Sequence, residues 1–355
     1  MSLKMKKLGT SDLLVSDICL GTMTFGQQNS AEEAHDQLAY AISNGINFID
    51  TAELYPVQPS AKTYGRTEEI IGTWFQKSGK RNQVILASKV AGPSRGMNWI
   101  RGGAENITKK DIIAACETSL KRLQTDVIDL YQIHWPNRNT PIFGEMYFDP
   151  SRDRDSTSIE DQLEAMQTLI NQGKIRYVGL SNETPYGLGE FFRIAEKHNL
   201  PKPVSVQNAY NIINRHVENG LYESMHHYQI GLLAYSPLGF GRLTMKYEHG
   251  PKFGASPTPR GRLEIFPTTW SPRYMRPEVV AAAQEYAQLA EKNNMTATQL
   301  ALAFCYQKEC VASTIIGATN IAQLKENIEA YAVKLSPELF AQIDAIRWRL
   351  RDPAL

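Results

Sequence analysis

Eight short apolar runs, each followed by a helix-like stretch, organise the 355-residue chain. They fall at residues 18–23, 47–52, 84–90, 127–134, 175–181, 204–208, 231–236 and 314–318. Most are β-branched and apolar with little alternation, the composition of strands covered on both faces. The stretches between them carry helix-start signals. Ser30 with Glu33 forms a capping box, and Thr108, Ser158 and Thr184-Pro185 open further helices. Thr296 with Gln299 repeats the box, and Ser336-Pro337 starts one more amphipathic helix beyond the eighth run. Eight βα pairs in sequence predict a closed (β/α)8 barrel with an extra C-terminal helix, not an open sheet. No linker or low-complexity segment interrupts them, so residues 1–355 read as a single domain.

Composition narrows the function classes. Lys plus Arg (38) nearly balance Asp plus Glu (37), which gives no electrostatic basis for nucleic acid or an anionic membrane as a main partner. No apolar stretch is long enough to span a bilayer, and MSLKMKKLG lacks the apolar block of a secretory signal. The four cysteines, Cys19, Cys116, Cys305 and Cys310, show no CxxC spacing and read as buried small hydrophobes. A cytoplasmic setting is the expectation. The seven histidines form no metal-ligand spacing, which disfavours a metal-dependent barrel hydrolase. Oligomeric state is not written in the pattern.

The longest irregular stretches, 91–107, 135–157 and 237–276, each follow a strand. In a barrel that puts them at the C-terminal mouth, where loops shape a substrate site. Asp50 and Tyr55 in NFIDTAELY, Lys89 in VILASKV and His134 in VIDLYQIH lie at the ends of three successive strands facing that mouth. Any one of them alone reads as structural; their convergence is what a purely structural role does not require. Together they suit carbonyl reduction. Tyr55 is the proton donor, the Lys89 ammonium stabilises the developing phenolate, and Asp50 holds that ammonium. His134 orients the carbonyl oxygen. No side chain carries hydride, so a nicotinamide cofactor is required. Ser181 and Asn182 in GLSNE suit a carboxamide, Gln207 follows on the sixth strand, and Tyr235 offers a ring to stack on the nicotinamide. Gly317, Ala318 and Thr319 precede a helix beginning near Ile321, a favourable place for phosphate.

The motifs LGTMTFG, NFIDTAELY, ASKV, YQIHWP, GLSNE, QNAYN, YSPLGFGRLT and GATNIAQLKEN together resemble the aldo-keto reductase superfamily, in its order and over nearly the whole chain. LGTMTFGQQNS and AELYPVQPS resemble the Tas-type bacterial branch, and the second half is similar to the cofactor-binding part of voltage-gated potassium channel β subunits. The resemblance implies a (β/α)8 TIM barrel whose bottom is closed by a hairpin at MKKLGTSDLLVS. It implies that Asp50, Tyr55, Lys89 and His134 form the catalytic tetrad. The implied cofactor residues are Thr22, Met23, Asp50, Ser181, Asn182, Gln207 and Tyr235, then Ser236, Leu238, Gly239, Gly241 and Lys246, and finally Gly317, Thr319, Gln323, Glu326 and Asn327. NADP(H) is implied, its 2′-phosphate held by Lys246 with Arg260 or Arg262. Met245 departs from the pattern, because related sequences often have Gly before the lysine. Met23, Phe25, Tyr55, Trp135 and Tyr147 are expected to make an aromatic wall suited to an apolar or aromatic aldehyde or ketone. A nicotinamide-binding regulatory protein with little turnover is the alternative.

Overall fold

The computed structural model describes residues 2–248, 261–267 and 271–355. Strands β1 (Met5–Lys7) and β2 (Leu14–Ser16) pair antiparallel as the expected hairpin. Eight parallel strands follow: β3 (Ile18–Gly21), β4 (Phe48–Asp50), β5 (Ile85–Val90), β6 (Ile128–Ile133), β7 (Ile175–Ser181), β8 (Ser205–Ala209), β9 (Gly231–Tyr235) and β10 (Val311–Ile316). They close into a barrel in chain order, β10 returning to pair with β3. The strand pattern fails at two ends. After Gly21 the chain turns away, with the Phe25 N–H donating to the Thr22 carbonyl. At the other, β10 begins at Val311, because its first residues already pair with β9 before Thr314 reaches β3.

Helices α1 (Ala31–Ser43), α2 (Arg66–Ser78), α3 (Lys109–Leu123), α4 (Ile159–Asn171), α5 (Pro185–His198) and α6 (Leu221–Tyr228) follow β3 to β8 in turn. The connection from β9 to β10 holds α7 (Arg262–Ile265), α8 (Ser271–Tyr274), α9 (Pro277–Lys292) and α10 (Ala297–Gln307). After β10 come α11 (Ile321–Glu329) and α12 (Pro337–Arg349). The expected caps are in place: Ser30, Thr108 and Thr296 each close a capping box, and Ser158, Thr184 and Ser336 each accept from the first turn. Such a cap is worth about 1 kcal/mol. α9 was not anticipated; Pro277 starts it, and α12 packs against it within the same chain.

Strand periodicity separates two cores. One strand face looks out to the helices and carries Ile49, Leu86, Ile133, Leu180 and Val206. The other looks into the barrel, where Cys19, Phe48, Ala87, Leu130 and Leu233 pack on Leu8, Leu13 and Val15 of the hairpin. The hairpin therefore plugs the bottom. Stepping up two residues along four inward faces replaces this apolar layer with Asp50, Lys89, Gln132 and Tyr235. One step higher, just past the end of β6, is His134. The mouth thus inherits its polar groups from the period of the strands. All four cysteines are buried and unpaired, and no helix among the described residues is long and apolar enough to cross a membrane.

Candidate active site

Strand register brings the polar layer together. Asp50 lies beside Gly21 on one side and Ala87 on the other, and Lys89 lies beside Gln132. The Lys89 ammonium, fully buried, donates to Asp50 Oδ2 at 2.6 Å and to the Thr51 carbonyl at 2.8 Å. It stands 3.5 Å from the Tyr55 hydroxyl, with the Tyr55 ring centre 4.9 Å away. The His134 ring meets Tyr55 edge-on at 5.7 Å between centres and Trp135 at 4.9 Å. All four expected catalytic residues therefore converge.

Burial dominates their electrostatics. It pushes the Tyr55 phenol up, and the Lys89 charge pulls it back only in part. The phenol therefore stays protonated at rest, and the Lys89 ammonium stands where it could stabilise a phenolate. For Lys89 itself, burial works downward, but Asp50 and Tyr55 together raise its pKa. His134 is driven well below the usual imidazole range by burial and then by Lys89, so it is neutral at pH 7. Its Nδ1 is buried without a hydrogen-bond partner among the described residues. A protonated phenol and a neutral imidazole with unspent polar capacity meet at one mouth. Such a pair can hold a carbonyl oxygen and give it a proton.

A cavity of about 1320 Å³ opens above them. It is lined by Met23, Asp50, Ser181, Asn182, Gln207, Tyr235, Ser236, Leu238, Gly241, Lys246 and Arg262, and by Gly317, Thr319, Gln323, Glu326 and Asn327, all expected cofactor positions. Thr22 lies on the same wall, its hydroxyl donating to the Asp50 carbonyl at 2.9 Å. Gly239 is the exception: it sits behind the wall at φ +54, packed near Ile213 and Tyr274. Arg260 lies outside the described residues. Tyr235 donates to Asn182 Oδ1 at 2.7 Å, and Asn182 donates to the His134 carbonyl at 2.8 Å. The amide of Gln207 is spent inward, donating to Asp50 Oδ1 at 2.8 Å. Burial lowers the pKa of both Lys246 and Arg262, the latter to about 10. Arg262 reaches across the groove to Gln28 Oε1 at 3.0 Å and Met23 Sδ at 3.1 Å. Met245 takes a left-handed backbone, φ +63, where glycine carries no strain.

Two of the expected apolar residues are elsewhere. Phe25 is fully buried in the outer core, and Tyr147 is 81% exposed beyond the rim. Met23, Tyr55 and Trp135 remain, joined by Leu54, Met97, Trp99 and Phe143. The sequence reading also passed over Gln132, whose Nε2 donates to Asp50 Oδ1 at 3.3 Å. Its signal was present: one amide on the inward face of an apolar strand. It missed Glu53 as well, which accepts from the Ala91 N–H at 2.6 Å, Arg101 at 2.8 Å and Tyr64 at 2.8 Å. That carboxylate ties the Tyr55 loop to the end of β5. No cluster of three or more metal-binding side chains occurs among the described residues.

Barrel and site are those of a (β/α)8 oxidoreductase, and comparison with known proteins agrees. The model of the Aldo/keto reductase family matches residues 17–347. The chain is 43% identical to Protein tas of Escherichia coli over 344 residues, 97% of each chain. It is 39% identical to an aldo-keto reductase of Babesia bovis over 287 residues, 77% of this chain and 98% of that one. A probable voltage-gated potassium channel subunit beta of Arabidopsis thaliana is 30% identical over 346 residues, 96% of this chain and 95% of that one. The chain belongs to the aldo/keto reductase family.

Proposed function

We propose that the protein reduces aldehyde or ketone carbonyls to alcohols with NADPH, with residues 1–355 acting as one barrel domain in the cytoplasm. The observation that carries this reading is the buried Lys89 ammonium, which touches both Asp50 and the Tyr55 hydroxyl beside His134, whose Nδ1 has no hydrogen-bond partner among the described residues. Tyr55 gives its proton to the carbonyl oxygen, and Lys89, held by Asp50, stabilises the phenolate left behind. His134, neutral, orients that oxygen. The residues fit a large anionic cofactor. A cavity of about 1320 Å³ exceeds the ~300–1,000 Å³ common for one small ligand, and Lys246 and Arg262 supply cations at one end. The bound nicotinamide would supply the hydride. Ser181, Asn182, Gln207 and Tyr235 would hold its ring, and Gly317, Thr319, Gln323, Glu326 and Asn327 the rest of the molecule. Trp135 and Leu54, both buried, would give the reacting carbonyl an apolar wall.

Likeness to the plant channel subunit supports a second reading, a nicotinamide-binding regulator with little turnover. One experiment separates them: loss of reduced-nicotinamide absorbance with a panel of aldehydes, ketones and quinones, for wild type and Tyr55→Phe. Turnover that collapses in the mutant while NADPH still binds is the expected result. Tight NADPH binding with no turnover in either protein would favour the regulator.

A further inference from the structure

The cavity is unevenly charged. Among the described residues, Arg95, Lys246, Arg262 and Arg273 line it against two carboxylates, Asp50 and Glu326, and Asp50 is already paired with Lys89. The whole chain carries a formal net charge of only +1, so the surplus is local and draws anions to this site. Lys246 and Arg262 belong to the end proposed above for the cofactor phosphates. Arg95 pairs with Glu145 at 3.5 Å. Arg273 is left over.

Its position is distinctive. The Arg273 Nε donates to the Ala354 carbonyl at 3.0 Å, and its guanidinium shares the cavity wall with Tyr235, near enough for its charge to act on that phenol. Tyr235 bonds Asn182, which bonds the backbone of His134, so Arg273 stands on the nicotinamide and carbonyl side of the cavity. The Tyr274 ring centre lies 5.2 Å from its guanidinium carbon. These partners are all neutral, and among the described residues no carboxylate pairs with Arg273. A guanidinium does not escape an enclosed site by losing its proton, so it strongly favours an incoming anion. Its planar fork matches a carboxylate with two parallel hydrogen bonds.

We infer that Arg273 anchors the substrate, and that the substrate is an acidic carbonyl compound: an aldehyde or ketone that also bears a carboxylate. Arg273 takes the carboxylate, the apolar side chains of Trp99 and Phe143 cover the carbon skeleton, and the carbonyl is presented to Tyr55 and His134. This rests on the carbonyl-reductase reading above.

The test compares 4-carboxybenzaldehyde with its methyl ester in wild type, Arg273→Met and Arg273→Lys, alongside NADPH affinity from fluorescence quenching. Wild type is expected to favour the acid by about 10- to 100-fold in kcat/KM, chiefly through KM. Arg273→Met loses that preference, and Arg273→Lys keeps part of it. Equal kcat/KM for acid and ester in wild type overturns the inference but leaves carbonyl reduction standing. Parallel loss of both activities in Arg273→Met, with weaker NADPH binding, also overturns it and makes Arg273 a brace for Tyr235. No NADPH oxidation with either compound or with the wider panel sinks the carbonyl-reductase reading itself. Should Arg273→Met fail to fold, the wild-type comparison and Arg273→Lys still decide.

Discussion

The two ends of the cavity are built differently. At the catalytic end, Asp50, Lys89, Gln132 and Gln207 come from β4, β5, β6 and β8, all essentially inaccessible, and Asp50 takes three donors from its neighbours. At the loop-borne end, Lys246 and Arg262 hang on the connection from β9 to β10, where Phe240 and Met245 are non-glycine residues with positive φ, and Arg262 reaches back far enough for its charge to act on Tyr55. The contrast suits the two tasks proposed for them. Proton transfer demands atoms held to a fraction of an ångström, which strands with a fixed register provide. Gripping a long flexible anion demands charges that can close over it, which a loop provides.

The comparison can be broken in several ways. Lys89→Met should be the most damaging change, because it removes the phenolate's cation and leaves Asp50 buried without its counter-charge. Reductive turnover should fall by about 10²- to 10⁴-fold. Stability, read by chemical denaturation, should fall by about 3–5 kcal/mol. A stable, active Lys89→Met would show that the strand-borne end is not the chemical one. At the loop end, Lys246→Ala should weaken NADPH binding about 10- to 100-fold and NADH binding far less, as charge-assisted bonds imply. Equal losses in a titration with the two cofactors would remove Lys246 from the 2′-phosphate.

Gln132→Leu sharpens the contrast within the rigid end. It should lower kcat about tenfold by loosening Asp50 while NADPH affinity holds, and Gln132→Asn should fall between. A loss confined to NADPH affinity would make Gln132 part of the ligand grip. The pH profile tests the same end. Tyr55 acts as a donor only when protonated, and its pKa is raised, so reduction should hold steady through neutrality and decline only above about pH 10. His134 is already neutral because its pKa is lowered, so no break should appear near its ordinary value of about 6.5. A break there would overturn the neutral imidazole. The smallest effect belongs to the loop: Met245→Gly relieves a left-handed residue but strips a half-buried side chain from the outer core, so the two nearly cancel and stability should change by less than about 1 kcal/mol. A larger shift in chemical denaturation, of either sign, would contradict it.

The same division governed what could be read in advance. Inward-facing positions recur every second residue, so Asp50, Lys89 and His134 were legible once their strands were seen, and the barrel order followed from eight βα pairs. Gln132 shares the parity of Leu130 and His134 and was legible on the same rule, though a lone amide in YQI drew no notice. Phe25 and Tyr147 were misplaced because loop residues have no period to say which way they face. The reach of Arg262 to Gln28, 234 residues earlier, and the bond from Arg273 to Ala354 depend on folded-back segments with no local signature.

The barrel closes where β10 meets β3, and beside that seam Thr24 donates to the Ala318 carbonyl across 294 residues of sequence. The groove proposed for the cofactor straddles the same seam, with Met23 and Gln28 on one bank and Gly317 to Asn327 on the other. A ligand lying there fastens the first part of the chain to the last. Its binding energy then counts toward keeping the ring shut, so the resistance of the barrel to unfolding tracks the supply of that ligand.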